Sequence, residues 1–307
     1  MTSPSEKIVV QSSTFVSHNI PELTIVDTGS APPALPSVTD PGVQVWRDHD
    51  GTVSAYGHTV SGIHWMHLPG LASFRFGGGT DGVMAIAQPA VREDRILGQY
   101  YRSVLPMVLQ VRGWEVLHAS AVLTSKGVVA MCATSGTGKS TTAVGLSQRG
   151  WPLWADDAVA FEALDSGIKT VPLPFNLRLL SDATVFFGQG AKTAGADNSR
   201  NGIERIEKEP QQLTALLLLT RAHDGCGDEV VRVRRLSSAE TFVGLLTHAY
   251  SFNPRDVERR RSMTQHYLDL ITLVPTFEVS FQPGLERLPA VLDRMEQLIH
   301  HDLEEAP

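Results

Sequence analysis

Residues 133–141, reading Ala-Thr-Ser-Gly-Thr-Gly-Lys-Ser-Thr, combine two glycines, a lysine and several hydroxyls in an order that can cradle a polyphosphate. The first eight match the Walker A pattern except that Ala133 stands in place of its first glycine. Gly136 and Gly138 give the backbone freedom to curl, so that amides from Ser135 to Thr141 can face phosphate oxygens. A helix starting there would add its positive end. Lys139 is expected to reach the β and γ phosphates, and Ser140 to offer a hydroxyl to Mg²⁺, a hard ion that prefers oxygen ligands. The implied cofactors are ATP and Mg²⁺.

A loop of this kind serves kinases, GTPases and transport ATPases alike, and the pair Asp156-Asp157 narrows the choice. The apolar approach from Trp151 to Ala155 predicts a strand that delivers both carboxylates at its end, beside the strand leading into the loop. One carboxylate can then serve the metal while the other faces an acceptor. A free Asp, with a pKa of about 3.9, is too weak to strip an alcohol of its proton in advance. Phosphoryl transfer passes through a loose transition state in most analyses, so orientation with late proton removal suffices. Such assistance is typically worth about 10²- to 10⁴-fold.

The elements that must position these groups follow from periodicity. Residues 127–132 form an apolar strand candidate running into the loop, residues 141–149 a helix, and Gly150 its stop. Residues 158–163 continue or restart extended structure, 213–220 read as a buried strand, and 286–303 as a closing amphipathic helix. Residues 188–202, rich in Gly, Ala, Asn and Ser, read as a loop. Upstream, residues 43–88 alternate Val, Trp, Tyr, His and Phe segments with turns at Asp50-Gly51, Pro69-Gly70 and Gly77-Gly78-Gly79, predicting an antiparallel β region. Residues 90–111 follow at helical spacing, with a kink or break expected at Pro106. The Pro- and Gly-dense run 28–42 reads as a linker. The expected organisation is an N-terminal arm and linker (1–42), a β-rich subdomain with a helix (43–112), and the loop-bearing domain (113–307).

Composition sets outer bounds. The chain has 307 residues, 42% hydrophobic and 19% charged, enough for a sizeable core. A net charge of −7 argues against a general nucleic-acid binder, which needs a basic face. No apolar run approaches the ~20 residues of a membrane span, and the amino terminus lacks the basic head and apolar run of a signal peptide. Two cysteines, Cys132 and Cys226, are too few for a disulfide framework and read as buried or loop thiols. A cytoplasmic location is expected. Arg255, Arg259, Arg260 and Arg261 read as a solvated helix face, and the terminal His300-His301 as polar tail.

The segment from Leu117 to Asp157 resembles the catalytic core of HPr serine kinases. The resemblance rests on His118 in LHASAV, then SGTGKST, then a helix ending in RG and a strand ending in ADD, with matching intervals between His118, Lys139 and Asp156. It implies an α/β P-loop fold shared with phosphoenolpyruvate carboxykinases. It also implies that Asp156 is the base toward a protein serine, that Asp157 serves the metal with Ser140, and that His118 lies near the phosphates with Lys139. The family's EIRG-type signature is absent, and Asn176-Leu177-Arg178 occupies its neighbourhood. Arg178 and Arg200 read as surface or structural arginines. Some relatives of this plan resemble peptide-tailoring serine kinases of the lasso-peptide type. The expected partner is therefore a peptide or small-protein serine acceptor, with neither nucleic acid nor membrane, and homo-oligomerisation left open. Two rivals stand beside this reading: a nucleotide-sensing module without turnover, and a decarboxylating enzyme of the carboxykinase type.

Overall fold

A computed structural model describes residues 8–9, 20–26, 35–48, 50–77, 80–175, 177, 179, 181–188, 209–222, 229–253 and 255–302. The chain is mixed α/β and divides into two compact units, one formed by residues 1–113 and 251–261, the other by 114–250 and 262–307. The expected 188–202 loop, Arg178, Arg200, Asn176, Gly78, Gly79 and Cys226 lie wholly or almost wholly outside the described residues.

The first unit is a seven-stranded sheet in the order β1-β2-β7-β6-β5-β4-β3. Its strands are β1 (Ile8–Val9), β2 (Leu23–Val26), β3 (Gln44–Arg47), β4 (Val53–Val60), β5 (Ile63–Leu68), β6 (Ala72–Gly77) and β7 (Thr80–Ala87). From β3 to β7 each strand pairs antiparallel with the next. Gly51 and Gly70 supply the positive φ values, 84° and 70°, that the first two expected turns require. The segment read as an arm contributes β2, which pairs in parallel with β7. Only Leu23 and Ile25 of its four residues are fully buried, too short an alternation to stand out in sequence. The helical stretch then splits at the proline: α1 (Glu93–Gln99) gives way to a π turn (Tyr100–Val104) before α2 (Leu105–Val111). Leu105 N–H reaches back five residues to Tyr100 O, and Pro106, with no N–H to donate, sits in the first turn of α2.

Cross-strand pairing gathers Tyr56, His58, Trp65, His67 and Ser73 on one face of this sheet. His67 Nδ1 bonds Ser73 Oγ at 2.8 Å, while its Nε2, like Nδ1 of His58, has no hydrogen-bond partner among the described residues. Burial, with a smaller push from His58, lowers the His67 pKa to about 4. The unfolded chain takes up this proton near pH 6.5, so the stability that neutral His67 contributes is complete above that pH. It is expected to drain away as pH falls from about 6.5 to about 4. Urea unfolding across that window should show this loss. His67→Gln should reduce the slope by up to about 1.4 kcal/mol per pH unit, and an unchanged slope would contradict the assignment.

The second unit holds a nine-stranded sheet, in the order β11-β9-β10-β14-β13-β12-β8 with β16 joined to β14 and β15 to β16. Its strands are β8 (Glu115–Leu117), β9 (Ala119–Thr124), β10 (Gly127–Cys132), β11 (Leu153–Ala155), β12 (Val159–Leu164), β13 (Gly167–Val171), β14 (Gln211–Arg221), β15 (Val231–Arg235) and β16 (Thr276–Phe281). Helices α3 (Lys139–Gln148), α4 (Ser181–Gly188), α5 (Ser238–Leu246), α6 (Val257–Leu273) and α7 (Leu288–Gln297) accompany them; the first turn of α6 belongs to the first unit. The expected closing helix is α7, flanked by a 3₁₀ turn (Leu285–Arg287) and a π turn (Leu298–Asp302).

Strands β10, β14 and β16 run parallel; β10 and residues 215–219 of β14 are buried on both faces, which is why they read as apolar runs, whereas β16 alternates, with Glu278 and Ser280 half-buried. Val129 and Met131 pack with Ala143 and Leu146 of α3 and Val291 and Met295 of α7. Val128, Ala130 and Cys132 pack on the opposite side with Leu245 of α5 and Tyr267 and Leu270 of α6. A large-to-small change at one of these positions typically costs about 2–5 kcal/mol. Gly127, at φ 132°, leaves no room for a side chain: an added Cβ would stand 2.6 Å from Gln212 O.

Candidate functional site

The glycine loop joins the carboxyl end of β10 to α3, the strand–loop–helix order that the sequence predicts. Gly136 (φ 82°) and Gly138 (φ 122°) adopt backbone conformations that side chains disfavour, which lets the chain curl back over its strand. Thr137 N–H donates to Thr134 O at 3.2 Å, and the two threonine hydroxyls lie 2.9 Å apart, bracing the curl. Gly138 is the N-cap of α3 and has no side chain to cap the first-turn N–H groups. The start of the helix therefore keeps its donors and its positive end for an anion. Lys139 opens α3 and is only 8% exposed. Arg221, at the end of β14, donates from its guanidinium to Gly136 O and ties the loop to the neighbouring parallel strand.

Asp156 and Asp157 follow β11, as expected, but β11 does not lie beside β10. It pairs with β9, which runs antiparallel between them. The expected adjacency is thus corrected: a single strand intervenes, and one of its residues, Ser120, closes the gap. Ser120 Oγ donates to Asp156 Oδ1 at 2.5 Å, and Ser140 Oγ donates to the same oxygen at 2.9 Å. The carboxylate is therefore bonded directly to the loop lysine's neighbour. Asp156 is 4% exposed. Burial raises its pKa above the ordinary carboxyl value and Asp157 adds to the rise; the two serine donors and Lys139 pull the other way.

His118 occupies a break in the chain. The stretch from β8 to β9 changes partners there, β8 pairing with β12 and β9 with β10 and β11. The Asp156-Asp157 break between β11 and β12 lies opposite, because the same two strands switch across it. His118 Nδ1 sits 3.0 Å from Asp157 O. A carbonyl only accepts, so Nδ1 carries the proton and Nε2 of the neutral ring keeps its lone pair. Burial, followed by the charge of Lys139, lowers the pKa of His118 and favours that neutral form. Asp157 has a left-handed backbone (φ 66°), and its carbonyl also accepts from Tyr250 Oη at 3.3 Å. Tyr250 meets the His118 ring edge-on, and His118 N–H donates to His248 O at 2.7 Å.

All of the residues singled out by sequence, from Ser135 to Thr141 with His118, Asp156 and Asp157, thus belong to the second unit, and hydrogen bonds join Ser140 to Asp156 and His118 to Asp157. Four neighbours escaped the reading. Ser120 had a signal, a hydroxyl inside the apolar run two residues from His118. Arg221 had a weaker one, a basic residue ending the run TALLLLTR. His248 and Tyr250 had none, since only the bridge between Leu117 and Ala249 brings them close.

No protein family matches the chain, and no curated protein does. Solved structures do match, and one of them is a distant likeness. The HPr(Ser) kinase/phosphatase from Coxiella burnetii shares 13% identity at a TM-score of 0.31, across 60% of this chain and 97% of that one. A likeness of that size carries no argument about chemistry. Among the described residues no helix is long and apolar enough to cross a membrane.

The hydrogen bond from Ser120 gives a separate test of the cluster. Ser120→Ala removes a donor that favours the charged carboxylate, so the pKa of Asp156 should rise further. Whatever activity depends on ionised Asp156 should then show its acid limb displaced to higher pH. A uniform loss at every pH would indicate a merely structural serine.

Proposed function

We propose that the second unit is a kinase that transfers the γ-phosphate of ATP to a serine hydroxyl of a peptide or small protein. The observation that carries this reading is the bond from Ser140 Oγ to Asp156 Oδ1, which couples the glycine loop to the acidic pair beside an uncapped helix start. The residues fit the cofactors. Polyphosphate requires amide donors and a cation, offered by the curl at Gly136 and Gly138 and by Lys139. Among the described residues no cluster of three or more His, Cys, Asp or Glu could cage an ion. That suits Mg²⁺, which takes one or two carboxylates, a hydroxyl and phosphate oxygens while keeping several waters; Ser140 and Asp157 would hold it. When bound, the ion would neutralise charge on the phosphates.

The chain's own residues then divide the work. Lys139 binds phosphate oxygens. Asp156, fixed through Oδ1 by two serines, has no hydrogen-bond partner at Oδ2 among the described residues, leaving that atom to orient the acceptor hydroxyl and take its proton late. The raised pKa of Asp156 makes its carboxylate, when ionised, a better base than a free one. His118 and Tyr250 hold the Asp157 backbone in its left-handed turn, fixing where that carboxylate starts.

The reading is tested by incubating the protein with γ-labelled ATP, Mg²⁺ and a pool of synthetic serine peptides. The expected product is phosphoserine in a subset of peptides. Nucleotide binding with no label in any peptide or in added small proteins would instead favour a sensor.

A further inference from the structure

We propose a second ligand site, at the end of the second unit's sheet remote from the glycine loop, that takes an extended organic dianion between Lys126 and Arg235. The two residues line a groove of about 670 Å³, within the range of small-molecule sites. Its floor is the amino ends of β14 and β16, around Thr214 and Thr276, with Ser238 at the start of α5 on one side.

Charge makes the argument. The chain carries a net −7, yet no acidic residue lines this groove. Two of the nearby acids are already engaged: Glu240 and Glu278 both pair with Arg234, and Glu240 also completes the capping box of α5 with Ser237; Asp165, next to Ser166, lies outside the lining. The start of α5 is therefore capped and adds little. Arg235 makes no ion pair with any described residue, and it and Lys126 are both exposed.

Topology sets the ligand's length. Lys126 directly precedes β10 and Arg235 ends β15, and the strands run β10, β14, β16, β15 across the sheet. Three strand spacings put their backbones about 14 Å apart, so one compact phosphate cannot satisfy both. Between them Leu213, Ile271, Leu273 and Pro275 stand among threonines, so the groove is mixed rather than apolar. The fitting chemistry is an anion at each end of a short carbon spacer that can lie along those four side chains. The six residues of β10 separate this groove from the glycine loop by about 20 Å, so the site is independent of the kinase reading.

Octanedioate is a suitable probe. Calorimetric titration of the full chain at low salt should show saturable binding with Kd below about 1 mM, modest because exposed cations are screened. Arg235→Ala and Lys126→Ala should each weaken it at least about tenfold, and octanoate, with one charge, should bind about tenfold less tightly. Lys139→Ala should leave it unchanged. Circular dichroism of the two groove variants, both at exposed positions, reports whether the fold is retained. Absence of saturable binding would overturn the proposal. So would binding that survives both groove substitutions in folded protein, equal binding of octanoate, or loss in Lys139→Ala, which would place the anion in the glycine loop.

Discussion

Asp156→Asn should lower phosphoryl transfer about 10²- to 10⁴-fold while leaving the protein at least as stable as the wild type. Burial makes the ionised carboxylate costly, as its raised pKa records. By linkage, a carboxyl whose folded pKa lies above its unfolded value weakens the fold at any pH where it is ionised. Asparagine keeps an oxygen that can accept from Ser120 and Ser140 and removes the buried charge. Rate and stability should therefore separate, which damage to the fold would not produce. Thermal unfolding and transfer rates on the same preparations check this, and Mg²⁺ titrations add the division of labour. Asp157→Asn should raise the Mg²⁺ concentration for half-maximal rate, whereas Asp156→Asn should lower the maximal rate with little change in that concentration. The opposite pattern would exchange the two roles.

Lys139→Ala has the second large expected effect, on binding itself. Lys139 is 8% exposed at the first position of an uncapped helix, so its ammonium would meet phosphate largely shielded from solvent. Truncating one partner of a buried, hydrogen-bonded charge pair costs about 2–5 kcal/mol, and ATP affinity should fall by roughly thirtyfold to several thousandfold. Calorimetry with ATP and Mg²⁺ measures this directly. A second readout needs no nucleotide. The charge of Lys139 contributes to the lowered pKa values of His118 and His248, behind burial in both. Both should move upward in Lys139→Ala. Histidine titrations that do not move would place the ammonium elsewhere than beside them.

The local parts of the site were legible because local sequence determines them. Glycines at positions 136 and 138 are needed wherever a loop must curl at positive φ, and an apolar run before and a helix after give that loop its direction. The same holds for β10 and the middle of β14, buried on both faces and therefore apolar at nearly every position. Pairing between distant strands left no such mark. Nothing in the segment 119–124 says that it enters the sheet between β10 and β11, so the aspartates were expected one strand too close to the loop. Ser120, whose bond to Asp156 depends on that insertion, was passed over with it. Tyr250 and His248 reach the site through a single bridge at Ala249, and β2 joins the first sheet on the strength of two buried side chains.

The most direct measurement is a crystal structure of the protein with Mg²⁺ and β,γ-imido-ATP. The triphosphate is expected to be wrapped by residues 135–141, with Lys139 on its β and γ oxygens and the γ-phosphate facing Asp156 Oδ2, the metal being held by Ser140 and Asp157. A nucleotide bound outside that loop, or bound there with its γ-phosphate turned away from both aspartates, would contradict that arrangement.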